Sequence, residues 1–324
     1  MIKKLFNFVR IIIALALCYW LLRKIDIKTS FAIMRQVNLG YFVLGIVLFF
    51  IFLLICNWRW KLLLDVRGLR YSFSYLLKVY FISWFFNNIL PTTVGGDVLR
   101  IAYTVQRDKE SNQSKTSLAV AVTLIDRFIG FIGLFFFACV ASALLFITKN
   151  GTNQYLYFVI SGLIVLLIIM LALFSDRVHR LFSYFFAHLK IFHLGARFER
   201  AYQEIKDFRN VKLQLLYSFV LSIFVQLSLA FVWFACAIGI SAKTSLLYYF
   251  LYIPVIGVLT MIPITIGGLG LRENLFVELF SAQGMTTAQA AAVSLLYLIV
   301  NLIYGIIGGI MFLFVKKDSV KLKN

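Results

Sequence analysis

The stretch PTTVGGDVLR at residues 91–100 returns 172 positions later as PITIGGLGLR at residues 263–272. Six of the ten positions are identical, and Val94/Ile266 is a conservative pair. Two of the chain's three prolines, Pro91 and Pro263, open the copies. A proline lacks an amide donor and ends the helix that runs into it. The paired glycines, Gly95–Gly96 and Gly267–Gly268, allow positive φ and close backbone approach. Arg100 and Arg272 close the two copies. Each copy reads as a break between helices, and an apolar run leads into each, at 73–90 and 246–262.

The surroundings of these breaks are membrane-like. Of 324 residues, 62% are hydrophobic and only 14% charged, which is far from the soluble average of about half apolar and a quarter charged. Apolar runs lie near 8–22, 41–56, 73–90, 119–148, 155–174, 213–240, 246–262, 269–280 and 288–315. The expected fold class is an all-α polytopic membrane protein forming one integral membrane domain over residues 1–324. About 20 residues per crossing give it about seven full spans plus two re-entrant hairpins of half-helices. No stretch is long and polar enough for a large soluble catalytic domain. The run 8–22 follows a basic start without a small-residue cleavage site, so it reads as an uncleaved first span.

Charge sets the orientation. The net charge of +19 would suggest nucleic acid for a soluble chain; here it reads as positive-inside bias and attraction to anionic lipid. Residues 175–212 carry eight Lys/Arg, whereas 149–154 and 241–245 carry one each and 281–287 none. The N-terminus, 175–212 and the C-terminus are therefore expected in the cytoplasm, although Arg23, Lys24, Lys28 and Arg35 then fall outside. That orientation leaves about sixteen residues between Leu90 and Arg107 for the chain to return to the cytoplasmic side, too few for a full span. A hairpin over 72–106 resolves the parity. A second, over 246–281, enters from the other side, so the repeats form an inverted pair. Transporters use that arrangement to build a site near mid-membrane.

The residues suit such a site. Free N–H groups at the start of each outgoing half-helix would bind an anion, helped by the helix dipole. Arg100 and Arg272 could grip phosphate in bidentate fashion. Broken backbone at membrane depth persists only inside protein or beside water, so the turns should line a cavity. Asp126 and Arg127 interrupt one apolar run, Arg272 and Glu273 open another, and Asp97 lies within the first repeat; buried ionisable groups are functional candidates by default. The substrate-binding set is Pro91, Gly95, Gly96, Asp97, Arg100, Asp126, Arg127, Pro263, Gly267, Gly268, Arg272 and Glu273. Two alternatives stand beside it: Asp126/Arg127 and Arg272/Glu273 as local structural pairs, and Asp97 as a helix cap.

Other features read more plainly. Cys18, Cys56, Cys139 and Cys236 sit in apolar runs without CxxC spacing, as small buried hydrophobes. His179, His188 and His193 lie in the basic segment without a carboxylate pattern, and neither a metal nor a cofactor is expected. In 175–212, Phe198, Tyr202, Ile205 and Phe208 recur at helical spacing, as in an interfacial helix. Trp58 and Trp60 with Arg59 and Lys61 resemble an interfacial anchor. Gly305, Gly308 and Gly309 could pack within the protein or between protomers of a homo-oligomer.

The two motifs, NNILPTTVGGDVLR at 87–100 and PITIGGLGLRE at 263–273, together with Asp126–Arg127, resemble the lysylphosphatidylglycerol synthase transmembrane-domain family, and the resemblance covers nearly the whole chain. It implies a protein that moves lipids between leaflets, such as the flippase half of the multiple peptide resistance factor. Associated lipids are aminoacylated phospholipids, hopanoids or lipid-linked sugars. About nine residues follow the last apolar run, so the soluble aminoacyl-transferase activity of the full-length factor is not expected. The expected function is a flippase for an anionic or phosphate-bearing lipid, with membrane lipids as partners, no nucleic acid and no enzymatic step. The alternatives are an enzyme acting on lipid-linked sugars and an accessory subunit serving an envelope glycosyltransferase.

Overall fold

The computed structural model describes residues 27–90, 95–106, 113–148, 160–165, 168, 203–261, 265 and 267–314. Outside them lie Pro91, Pro263, Cys18, the three histidines, the expected first span, most of the run 155–174, the basic segment up to 202 and both termini. In chain order the helices are α1 (Ile27–Arg35), α2 (Leu39–Val66), α3 (Phe73–Ile89), α4 (Gly95–Gln106), α5 (Gln113–Thr148), α6 (Lys212–Gly239), α7 (Leu246–Met261), α8 (Leu271–Ser281) and α9 (Thr287–Leu313). A short 3-10 turn, Asp207–Asn210, precedes α6. No strand occurs among the described residues.

Side chains at helix starts take up exposed amides. The Gly40 N–H donates to Asn38 Oδ1 (2.9 Å) at the start of α2, and Thr286 and Gln289 form a reciprocal box at the start of α9. Among the described residues four helices are long and apolar enough to cross a membrane: Leu39–Val66, Lys115–Thr148 within α5, Lys212–Gly239 and Thr287–Leu313. At 1.5 Å per residue, 27 residues span about 40 Å, against a hydrocarbon core of about 30 Å. By the same arithmetic α3 and α7 reach only about 25 Å, and α4 and α8 under 20 Å. The chain is thus an all-α, multi-pass membrane protein in which α3, α4, α7 and α8 fall short of the hydrocarbon core.

α2 and α6 run antiparallel and define two ends of the bundle. At one end the Asn38 N–H donates to the Gly239 carbonyl (2.8 Å). At the other, Arg67 pairs with Glu204 and, at 2.9 Å, with Asp207. The α3–α4 hairpin opens at the Arg67 end, where the Tyr75 hydroxyl donates to the Tyr103 carbonyl (2.7 Å). The α7–α8 hairpin opens at the Asn38 end, where Gln283 donates to the Tyr252 hydroxyl (2.9 Å). Their tips meet: a Cβ on Gly267 would lie 3.2 Å from the Asn88 carbonyl oxygen and 3.3 Å from that of Asn87. The pair is inverted, as the parity of the sequence requires.

Two apolar cores flank this meeting point. Phe49, Phe52 and Leu53 of α2 join the core towards the Asn38 end; Trp60, Leu63 and Leu64 join the one towards the Arg67 end. The first contains an aromatic column in which Tyr297, Trp233, Phe276 and Phe280 stack at centroid spacings of 4.0, 4.5 and 4.1 Å. Such pairs add about 0.5–1.5 kcal/mol each beyond area burial. Outward, α9 presents Leu302, Ile306 and Ile310, a one-turn stripe suited to lipid.

One open sequence reading is decided and two change. The glycine face of α9 packs within the chain: Gly305 lies against Asn88 of α3, and Gly308 against the Phe81 backbone. Arg59 and Trp60 are not an anchor. The helix runs ten residues beyond the apolar stretch, turning both side chains inward to 7% and 1% exposure while Trp58 stays 59% exposed. Ile205 and Phe208 are buried against the Arg67-end core instead of facing the membrane surface.

Candidate anion-binding cavity

Consecutive residues on a helix point about 100° apart, so Asp126 and Arg127 of α5 cannot share one partner. Asp126 turns inward. Its Oδ1 accepts from Arg59 Nε at 2.7 Å, and its Oδ2 accepts from Arg100 Nη2 at 3.0 Å. Arg127 reaches across to α4, where its Nε donates to Asp97 Oδ2 at 2.5 Å. The other Asp97 oxygen takes Arg100 Nη1 at 3.3 Å, one turn along the same helix. The result is a chain Arg59–Asp126–Arg100–Asp97–Arg127 from three helices, in which Arg127 has the most exposed side chain, at 23%. Arg59 also donates to Ser222 Oγ of α6 (2.8 Å). The Arg100 guanidinium lies 4.3 Å over the Trp60 ring and 5.0 Å over that of Tyr80, a cation–π setting that strengthens with desolvation.

The second repeat is built differently. Glu273 Oε1 accepts from Arg272 Nε (3.0 Å) and Nη2 (2.6 Å), while Oε2 accepts the Gly270 N–H at 2.7 Å. The Arg272 guanidinium lies 5.0 Å over Tyr297, the first ring of the aromatic column. Arg272/Glu273 is therefore a local pair, and Glu273 also caps α8. Asp126/Arg127 is not a pair, and Asp97 serves two arginines.

At each half-helix start one of the expected amides is already engaged. The Gly270 N–H is taken by Glu273, and the Gly96 N–H by Asn87 Oδ1 at 2.8 Å. Asn87 lies within reach because the first hairpin closes tightly, a Cβ at Gly96 sitting 2.5 Å from the Ser83 carbonyl oxygen, whereas Glu273 reaches back one turn within its own helix. In this state the charge at the site is carried by guanidinium groups.

Between the two cores lies a cavity of about 320 Å³. Asp97, Arg100, Asp126, Arg127, Gly267 and Arg272 all line it, so both repeats and the interrupted run converge on one place. Gly95, Gly96, Gly268 and Glu273 do not line it; they shape the hairpins behind it. Leu134, Val225, Ile253 and Ile256 supply an apolar wall from α5, α6 and α7. Arg59 and Asn301 also line the cavity, and the sequence reading missed both. Arg59 was hidden by the end of its hydropathic run. Asn301 donates to Asn88 Oδ1 (2.9 Å) and accepts from Trp84 Nε1 (2.8 Å), tying α9 to the first hairpin tip; its signal was a lone amide in an apolar run. Ser83 Oγ, Asn88 Nδ2 and Arg100 Nε are buried there without a hydrogen-bond partner among the described residues.

Gly267 makes the tip contact testable. Its φ is +57°, and the atoms facing a new Cβ are backbone of the opposite hairpin. Gly267→Ala should destabilise the folded protein by about 1–2 kcal/mol from the left-handed conformation alone, and should force the tips apart. Gly268→Ala carries the same backbone strain at φ +78° but meets the Thr260 side chain, which can yield. Thermal unfolding in detergent should place Gly267→Ala below Gly268→Ala; the reverse order would mean the tips do not touch.

The family model for the lysylphosphatidylglycerol synthase TM region matches residues 7–309. Similar chains are described as UPF0104 membrane proteins. That of Pyrococcus horikoshii is 26% identical, covering 95% of this chain and 96% of its own. That of Methanothermobacter thermautotrophicus is 29% identical over 78% and 77%, and that of Methanocaldococcus jannaschii 24% over 90% of each. With nearly the full length matched, including both repeats and the helices that carry the charged cluster, this chain belongs to the lysylphosphatidylglycerol synthase TM region family.

Proposed function

We propose that the protein is a lipid translocase. It moves an anionic or phosphate-bearing lipid (a phospholipid, an aminoacyl-phospholipid or a polyprenyl-linked lipid) between the leaflets of an inner membrane without altering it chemically. The observation that carries this reading is the convergence of two inverted half-helix hairpins on one cavity holding four arginines. A charged headgroup is opposed by several kcal/mol at the bilayer centre. A cavity at the hairpin tips with fixed guanidinium groups lowers that barrier for a phosphate, while the tails remain in lipid. The Arg67 end is the cytoplasmic one in this reading. It carries Lys61, Arg67, Arg70, Lys206, Arg209 and Lys212, against Lys28, Arg35 and Lys243 near the other end.

Each arginine then has a task. Arg59 and Arg100, fixed by Asp126, hold the positive charge in place. Arg127 and Arg272 line the cavity from opposite hairpin systems and meet the phosphate. The test is reconstitution into liposomes with measurement of transbilayer movement of labelled phospholipid and short-chain polyprenyl phosphate. Arg272→Ala should slow the transported lipid about 30- to 100-fold, the equivalent of losing one buried charge-assisted contact, with Arg272→Lys in between. Intact transport of every lipid by Arg272→Ala would remove Arg272 from the site. A folded wild type that moves none of them would end the translocase reading.

A further inference from the structure

Beside the arginines the cavity has an uncharged polar face. Ser83, Asn87 and Asn88 of α3, Asn301 of α9 and Gln226 of α6 all line it. The partners of the asparagines fix which way each amide points. The Trp84 indole can only donate, so Asn301 meets it with Oδ1 at 2.8 Å. Asn301 Nδ2 then donates to Asn88 Oδ1 at 2.9 Å, which leaves Asn88 Nδ2 at the end of the relay, buried without a partner among the described residues. The Gly96 N–H claims Asn87 Oδ1 at 2.8 Å and leaves the Asn87 amide nitrogen over. The asparagine oxygens are used inside the protein, and what remains for a ligand is donors.

Two further side chains on this face have no structural task. Ser83, one helical turn before Asn87, is 2% exposed, and its Oγ has no partner among the described residues. Gln226, one turn beyond the Ser222 that holds Arg59, is 8% exposed and makes no hydrogen bond among the described residues. Buried polar groups left unpaired are costly, so the face favours a molecule that pairs with them. The carboxylates do not serve an incoming cation. Asp97, Asp126 and Glu273 each accept from arginine side chains. An ammonium has donors alone, so it meets donors on α3 and carboxylates already taken. A hydroxyl both donates and accepts, and suits Ser83, Gln226 and the asparagine nitrogens alike.

Building on the translocase reading, we propose that this face is a second subsite, which takes a polyhydroxylated group, a polyol or a sugar, esterified to the lipid phosphate. The arginines hold the phosphate, and Ser83, Asn88 and Gln226 choose among phosphodiesters of equal charge. A headgroup that ends in an ammonium is disfavoured. Gln226 and Ser83 are specificity-determining residues.

The experiment uses the full chain in phosphatidylcholine liposomes at pH 7, with labelled lipids of identical acyl chains. Phosphatidylglycerol and phosphatidylinositol carry hydroxyls, phosphatidylethanol carries none, and phosphatidylethanolamine ends in an ammonium. The first three share one negative charge, so their comparison isolates the hydroxyls. Wild type should move at least one polyol lipid about tenfold faster than phosphatidylethanol and phosphatidylethanolamine, because a site built for a hydroxyl strongly rejects the analogue that lacks it. Whichever polyol lipid leads, glycerol or ring, supports the proposal and gives the size of the group. Gln226→Leu gives up no hydrogen bond within the described protein and should lower the polyol-to-ethanol ratio about three- to tenfold. A purely structural role would slow every lipid together and leave that ratio where it was. If Gln226→Leu does not fold, Ser83→Ala carries the same test. An unchanged ratio in the folded variant that carries the test overturns the proposal. So does wild type moving phosphatidylethanol or phosphatidylethanolamine as fast as both polyol lipids, though the translocase reading then stands. Wild type moving no lipid ends both.

Discussion

Asp126→Ala should be the most damaging single substitution in the protein, with an expected loss of about 3–5 kcal/mol, the usual result of removing one partner from a buried ionic set. The reason is asymmetry. Asp126 joins Arg59 of α2 to Arg100 of α4, so its removal leaves Arg59 with Ser222 and Arg100 with a 3.3 Å contact to Asp97. Two guanidinium groups then share too little negative charge in a site 5–7% exposed. Asp126→Asn keeps the shape and one acceptor, and should fall between. Adding Arg59→Met to Asp126→Ala should recover part of the loss, because the stranded cation is gone; neighbours in one network are not additive. Size-exclusion profile and thermal midpoint in detergent read all three. A midpoint within a degree or two of wild type for Asp126→Ala would show that the cluster does not hold α2, α4 and α5 together.

Gly308→Ala should come second. Alanine is the better helix former by about 1 kcal/mol, so the default expectation inside α9 is stabilisation. The neighbour reverses the sign. The new Cβ would lie 2.0 Å from the Phe81 carbonyl oxygen and 2.6 Å from its carbon, which are backbone atoms of α3 that no rotamer change can move. The helices must separate, at the upper end of the roughly 1–3 kcal/mol typical of overpacking. Separation also strains the bond from Asn301 to Asn88, which lies two turns away along α9. The variant should therefore lower both the thermal midpoint and transport. A stabilised Gly308→Ala would mean that α9 sits further from α3 than the structure places it.

How much of this was legible depended on whether the signal was local. Proline and paired glycines announce a chain break whatever surrounds them, so the repeat together with the parity of the charged loops placed both hairpins. Charged residues at 126–127 and 272–273 inside apolar runs announced burial. Their partners were not readable, because a contact between Asp97 and Arg127 spans 30 positions and follows from how α4 docks on α5. Arg59 was misread for a related reason. Hydropathy ends the run at Cys56, yet hydrogen bonding carries the helix on to Val66, and helical phase then decides that Arg59 faces inward and Trp58 outward. That Asn87 and Glu273 each take one amide at a half-helix start was equally unreadable, since it depends on side-chain placement at the turns.

The ionic cluster also imposes a timetable on the nascent chain. Arg59 is made 67 residues before Asp126 and 163 before Ser222. At roughly 5–20 residues per second, its counter-ion follows about 3–13 s later and the hydroxyl about 8–33 s later. During that interval α2 carries a cation with no anion to meet, so its last turns wait at the water interface until α5 arrives. Arg272 has no such delay, since Glu273 leaves the ribosome as the next residue. One half of the cavity finds its counter-charge as it is synthesised; the other finds its counter-charges only when α2, α4 and α5 come together.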